Sequence, residues 1–317
     1  MRNIIILLCL LLVFACKSSE KVKPAVIDLA TVSEIQESVS YLASDDLQGR
    51  DTGSEGIEKA AIYIENHFKQ SDIKPYFETY RDSFNHKGIE AYNIVGFIEG
   101  NDSKLKNEVI IIGAHYDHIG FGKSVSNDSI ANGANDNAAG TSGVLEIAEY
   151  FASVKKNKRS IVIALFSAEE KGLIGSYHLA KRLKSQNIDL YTMLNFEMIG
   201  VPFTDRPYDA FITGYDLSNM SSKINEYTNS NLTGFSKVSK KYNLFRQSDN
   251  YAFYLEFNLP CQTISSCDLS NYDYYHHADD EADKLDYKHM ASLINKIIPA
   301  IEKMCNTPNK EIKLNNE

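Results

Sequence analysis

The chain has 317 residues, 43% of them hydrophobic and 24% charged, ordinary globular proportions and enough for one large α/β domain with a substantial core. Its formal charge of −9 disfavours nucleic acid as the main partner. No internal repeat or low-complexity tract argues for a solenoid or an extended array.

In chain order, Met1-Arg2-Asn3 gives a short basic start, Ile4 to Phe14 an apolar run too short to span a bilayer, and Ala15-Cys16 a small residue followed by cysteine. This predicts a secretory leader over residues 1–15. Val13-Phe14-Ala15-Cys16 resembles a bacterial lipobox, whose cysteine becomes the lipidated first residue of the mature chain; a plain signal peptide cleaved nearby is the alternative. The lipobox reading anchors the chain to a membrane through Cys16 and places it in the bacterial cell envelope. Lys17 fits sorting to an outer membrane, facing the periplasm. Residues 16–31 then form a polar tether, residues 32–310 one folded domain, and residues 311–317 a short tail. Cys261 and Cys267, six residues apart, read either as a disulfide or as free buried thiols.

Residues 32–44 and 55–69 carry helical apolar spacing around a polar, glycine-punctuated loop, DDLQGRDTGSEG. AYNIVGFIEG, EVIIIGAHYD and RSIVIALFSAEE read as strands, with GTSGVLEIAEYFASV and GSYHLAKRLKS as helices among them. TMLNFEMIGVPF is a further strand, residues 203–247 are a polar stretch of helix and loops, NLPCQTISS is the last clear strand, and a helix closes the domain over 287–304. This alternation predicts a single three-layer α/β/α domain with a mostly parallel mixed central sheet. Functional groups are then expected at the carboxyl ends of the strands.

Those ends are polar in a consistent way. His115 and Asp117 stand two residues apart after EVIIIGA, so both side chains leave on one face, and a carboxylate beside an imidazole can fix its tautomer and free the other nitrogen for a metal. His115 alone reads equally well as a hydrogen-bonded structural histidine. Asp136 lies in a glycine-flanked loop before a helix, where a simple cap would also suit it. Glu169 and Glu170 follow the next strand, and Glu197 interrupts the one after, where a lone charge would be costly to bury. Two adjacent glutamates repel unless something positive sits near them. Metal ions would give all these groups a common purpose.

The ordered series GAHYDH, ANDNAAG, SAEEKGLIGS, NFEMIG, SDNYAF and YHHADDEADKLD resembles the secreted and periplasmic zinc aminopeptidase family, which also includes glutamate carboxypeptidases and glutaminyl cyclases. The resemblance runs from about residue 40 to the C-terminus and implies the zinc exopeptidase type of fold. Carried over, it implies two zinc ions bridged by Asp136, one also held by His115 and Glu197, the other by Glu170 and a histidine of the tyrosine-rich loop. His276 is favoured over His277 for that last position. Asp117 would orient His115, and Glu169 would be the general base. His118, His178 and His289 are expected at the surface or in packing roles. Asn250 stands where the family often has histidine, Glu197 where many members have aspartate, and Asn258 where glycine is common.

The implied reaction is hydrolysis of an N-terminal peptide bond in peptide substrates by a zinc-activated water. A carboxypeptidase for acidic C-termini would want an arginine cluster, for which only Arg206 and Arg246 are suggestive. A glutaminyl cyclase usually lines its pocket with tryptophan, and this chain has none. A non-catalytic binding domain would be expected to have lost ligands.

Overall fold

The computed structural model describes residues 30–315; the leader, Cys16 and nearly all of the tether lie outside the described residues. Helix α1 (Val32–Leu42) opens with a capping box, Thr31 accepting from the Glu34 amide and Glu34 reaching back, so the first-turn amides are satisfied before the apolar stripe begins. Helix α2 (Glu55–Gln70) is capped by Ser54 and runs into strand β1 (Lys74–Pro75). A hairpin follows, β2 (Arg81–His86) and β3 (Ile89–Ile98), turning at Lys87-Gly88, where both residues have positive φ.

Strand β4 (Glu108–His115) leads to a second, separate hairpin, β5 (Gly120–Val125) and β6 (Asp128–Ala131). Helix α3 (Gly140–Val154), strand β7 (Ser160–Phe166), helix α4 (Ile174–Ser185) and strand β8 (Asp189–Phe196) continue the alternation. The polar stretch after residue 203 holds β9 (Ala210–Ile212), α5 (Met220–Thr228), β10 (Thr233–Gly234) and α6 (Lys237–Tyr242). Helix α7 (Asn250–Phe257), strand β11 (Cys261–Ser265) and helix α8 (Tyr287–Asn306) complete the chain.

Among the described residues the main sheet has nine strands in the order β1-β3-β7-β4-β8-β11-β9-β10, with β2 beside β3. The neighbours β7, β4, β8 and β11 are parallel, while β3 and β9 flank them antiparallel, so the sheet is parallel at its centre and mixed at its margins. The central strands are buried along almost their whole length, as parallel strands covered on both faces must be. Alternate residues separate cleanly. Ile110, Ile112, Ile161 and Ile163 join the core under α1, α2, α3 and α8. Val109, Ile111, Val162 and Ala164 pack instead with Leu179, Leu183 and Phe253 of α4 and α7. These are the three layers read from the sequence.

Residues 311–315, assigned to a tail, are partly docked: the buried Ile312 donates its amide to the Tyr191 hydroxyl at 2.8 Å, and Leu314 bridges Ser218. Cys261, Cys267 and Cys305 are free and buried, so the pairing considered for the first two is not made.

Glu146 on α3 is 8% exposed, and burial, with the negative charges of Glu34 and Glu149, pushes its carboxyl up to about 8. Because its folded pKa lies above the unfolded value, the group costs nothing below about pH 4.5 and destabilises the fold increasingly as pH rises toward 8. Glu146→Gln is therefore expected to stabilise the protein by about 1–3 kcal/mol at pH 8 and by nothing at pH 4. Urea unfolding at both pH values checks this, and an equal effect at both refutes it.

Candidate metal centre

The four parallel strands deliver their carboxyl ends to one crevice. His115 is the last residue of β4 and Glu197 the first after β8; Glu169 and Glu170 follow β7 by a short turn, and His276 lies in the long loop after β11. Asp136 enters from the loop before α3. Gly133 in that loop has φ +58°, and a Cβ there would lie 2.3 Å from the Asp136 carbonyl and 2.5 Å from the His118 ring, so only glycine fits.

The asparagines beside Asp136 hold the loop. Asn137 donates to the Phe196 carbonyl at 3.0 Å and accepts from the Met198 amide at 3.1 Å, and Asn135 accepts from the Gly200 amide at 2.8 Å. Asp280 accepts from the Asn135 and Asp136 amides at 2.8 and 3.0 Å, and from the Tyr272 hydroxyl at 2.6 Å. The Asp136 side chain is thereby left to face the crevice.

Two donor groups meet there, each with ligand-type atoms mutually within 4.8 Å: His115, Asp136 and Glu197, and His118, Asp136, Glu170 and His276. Asp136 belongs to both. One of its oxygens lies 3.3 Å from His115 Nε2 and the other 3.3 Å from His276 Nε2, which is itself 3.0 Å from Glu170. All five positions expected to hold metal are thus brought together. His277 turns away toward Asp279, and the Tyr275 ring stacks on His276 at 3.9 Å.

His118 departs from expectation. It is fully buried, with Nδ1 3.0 Å from Glu170 and 3.8 Å from Asp136. The chain leaves β4 at His115, so residue 118 turns back into the crevice, a path that strand alternation does not extend to. His178 binds the buried Asp82 at 3.2 Å, a packing role as read.

The Asp117 carboxylate lies 3.8 Å from His115 Nδ1, and the residue serves a second neighbour as well. His115 Nδ1 lies 3.1 Å from the Asp117 backbone carbonyl, which fixes the ring, while the Asp117 carboxylate accepts from the Glu169 amide at 3.1 Å, the Glu170 amide at 3.4 Å and the Thr52 hydroxyl at 3.2 Å. It holds the turn that carries both glutamates. Asn250 donates to the Phe245 and Cys261 carbonyls and accepts from Thr263, bonds that knit α7 to β11. Asp249, just before α7, is fully buried, and burial pushes its carboxyl up to about 7. Arg206 is paired with Asp268 and Arg246 lies over the Tyr251 ring, so the two do not form an arginine cluster.

The electrostatics describe a crowd of carboxylates in want of cations. Burial, reinforced by Glu197, Asp249 and Glu170, holds Glu169 well above the carboxylate range. Burial and Asp136 push Glu197 up to about 8. Burial would raise Asp136 as well, but the imidazoles of His115 and His276, each 3.3 Å from one of its oxygens, overcome it and hold the group well below its ordinary value. Burial would lower His276, but Asp136 and Glu170 raise it to about 10. His115 Nε2, one oxygen each of Asp136 and Glu197, and His118 Nε2 are buried without hydrogen-bond partners. Nitrogen and carboxylate donors, buried, convergent and unsatisfied, fit divalent cations of the zinc type.

Beside Glu197 lies a pocket of about 70 Å³, walled by Met198, Phe211, Leu244, Cys267, Leu269 and Tyr275. It opens next to the donor groups.

His, Asp and Glu collected at the carboxyl ends of parallel strands put a candidate metal site where an α/β domain binds its ligands. The model of "Peptidase family M28" matches residues 93–301, and the chain belongs to that family. Leucine aminopeptidase 2 of Trichophyton rubrum is 27% identical over 173 residues, 54% of this chain and 32% of that protein, so the match spans about a third of the relative's length. The LapA aminopeptidase of Legionella pneumophila superposes with a TM-score of 0.68 at 22% identity, covering 87% of this chain and 72% of the other. Glutaminyl cyclase of Porphyromonas gingivalis gives 0.69 at 13% identity, over 87% and 99%. The fold is common to both enzyme kinds.

Proposed function

We propose that the chain is a two-zinc aminopeptidase that removes N-terminal residues from peptides. The observation that carries this reading is the pair of donor groups sharing Asp136, with Glu169 next to the ligand-type Glu170 in the chain. His115, Asp136 and Glu197 would hold one ion, and Asp136, Glu170 and His276 the other. Bound there, zinc supplies Lewis acidity toward the scissile carbonyl and lowers the pKa of water.

The remaining work falls to side chains. Glu169 takes the proton of the attacking water and returns it to the leaving amine. The surplus of carboxylates attracts the substrate's free ammonium terminus. The apolar pocket beside Glu197 receives an apolar first side chain, with the Tyr275 ring as one wall. Tryptophan is absent from the chain, and the arginines are engaged elsewhere, which favours an aminopeptidase over a glutaminyl cyclase or an acidic carboxypeptidase. The leader reading adds that the enzyme works in the cell envelope, tethered by lipid on Cys16.

Metal restoration tests the proposal. Purified chain stripped by a chelator is expected to be inactive on leucine, methionine and phenylalanine p-nitroanilides and to recover with zinc. Restored ammonia release from N-terminal glutaminyl peptides without amide cleavage would replace the reading with a cyclase. No restored activity across amides and dipeptides would point to a binding domain.

A further inference from the structure

His118 has no assigned task in the reading above, yet it has the geometry of a participant. Its side chain is fully buried, Nδ1 faces the Glu170 carboxylate at 3.0 Å and the shared Asp136 oxygen at 3.8 Å, and Nε2 has no hydrogen-bond partner. His276 Nε2 approaches the same two carboxylates at 3.0 and 3.3 Å, and the two imidazoles stand edge to face with centroids 5.6 Å apart. The space between them is therefore bounded by two nitrogens and two carboxylates. Gly133, whose missing Cβ would lie 2.5 Å from the His118 ring, makes room for it, and the His118 amide bonds the Arg50 carbonyl at 3.3 Å.

We propose that His118 is a fourth protein ligand at the Glu170 and His276 position, so that the two metal positions are unequal and fill in order. The inference rests on the two-metal reading. With His118 the first position has two histidines, an aspartate and a glutamate, the number of protein donors that closes a tetrahedral zinc site. The second has His115, Asp136 and Glu197, three donors, and so keeps a coordination position open. One equivalent of metal then settles beside His118 and stays, while the second occupies the open position and exchanges. Water and substrate enter on the exchanging side.

The test measures binding, not turnover. The full chain in mild detergent, freed of metal, is titrated with zinc against a chromophoric chelator, and separately with cobalt while its visible absorption is followed. Wild-type protein is expected to show two separable affinities, the tighter giving the intense spectrum of four-coordinate cobalt. His118→Ala should weaken the tighter affinity by about 100-fold or more and change that spectrum, leaving the weaker affinity within about threefold. His118→Gln, which keeps an N–H for Glu170 but is a poor ligand, should behave like His118→Ala. It also carries the test if the alanine variant fails to fold by circular dichroism. Wild-type affinity in His118→Ala, or its recovery in His118→Gln, overturns the proposal, the second outcome by reducing His118 to a hydrogen-bond donor. A wild-type chain that holds no zinc at all overturns the peptidase reading itself, a result distinct from either.

Discussion

Glu169→Gln is expected to lower turnover by about 10³-fold or more while leaving bound zinc within experimental error of wild type, and Glu170→Gln to do the reverse to the metal, lowering zinc content. The two residues are adjacent glutamates of the same burial class, so the contrast depends on where each carboxylate points. Glu170 lies within 3.1 Å of both His118 and His276, among the donor groups. Glu169 belongs to neither group, and its strongest neighbours are His115, Glu197 and Asp249. Burial pushes Glu169 toward its neutral form in the metal-free protein, so glutamine, a neutral side chain of the same shape, should cost little stability. Bound dications would return the group to its carboxylate form, ready to take a proton. Initial rates on leucine p-nitroanilide and metal analysis of both variants decide the matter. Zinc lost from Glu169→Gln and kept in Glu170→Gln would reverse the assignment of base and ligand.

How far the site could be read from the sequence depended on distance from a strand end. His115, Glu197 and the paired glutamates follow apolar runs directly, and a parallel sheet brings such ends together whatever the loops do. Asp136 and His276 were reached through the resemblance of their loops, because nothing in local periodicity says where a loop of several residues will return. His118 was missed for that reason. Its signal, a histidine three residues past a strand-end histidine, carries no period once the strand has stopped.

The fold shows the same boundary. Long strands and helices of strong periodicity were visible, including the closing helix and the two-faced burial of β4. The β5–β6 hairpin was not, since GFGKSV and DSIA are short, half-exposed and mixed in polarity. Helix α7 was read only as a motif, its eight residues carrying almost no polar face. Asp117 beside His115 reads as its orienting partner, and its carboxylate lies 3.8 Å from the ring. The sequence does not show the rest of the observed arrangement, in which the backbone carbonyl takes the ring and the carboxylate takes the turn.

The loop DDLQGRDTGSEG is tied to the site by Arg50, and Arg50→Met should cost about 3–5 kcal/mol of stability. Its guanidinium is buried and donates to the carbonyls of Leu42, Tyr116 at 2.9 Å, Asn132 at 2.7 Å and Gly133 at 2.9 Å. Tyr116 lies between His115 and Asp117, and Asn132-Gly133 open the loop of Asp136. One side chain thus fixes the separation of two segments that supply both donor groups. Burial lowers its pKa to about 10, against the attraction of Asp280, Asp117, Asp136 and Glu170, so it stays charged at neutral pH. Methionine fills similar volume but takes a donor from each of four carbonyls, of which Gly133 keeps the Ala138 amide at 3.1 Å; each carbonyl left unpaired costs about 1–3 kcal/mol before relaxation. Lysine, with a flexible point charge in place of a rigid fork, should recover only part of the loss. Urea unfolding of the metal-free variants measures this without interference from zinc, and zinc titration should then show both affinities weakened together, because both positions share Asp136. A metal-free Arg50→Met protein within about 1 kcal/mol of wild type would mean that the loop is held by its other contacts, and that the spacing of the donor groups is set by the sheet alone.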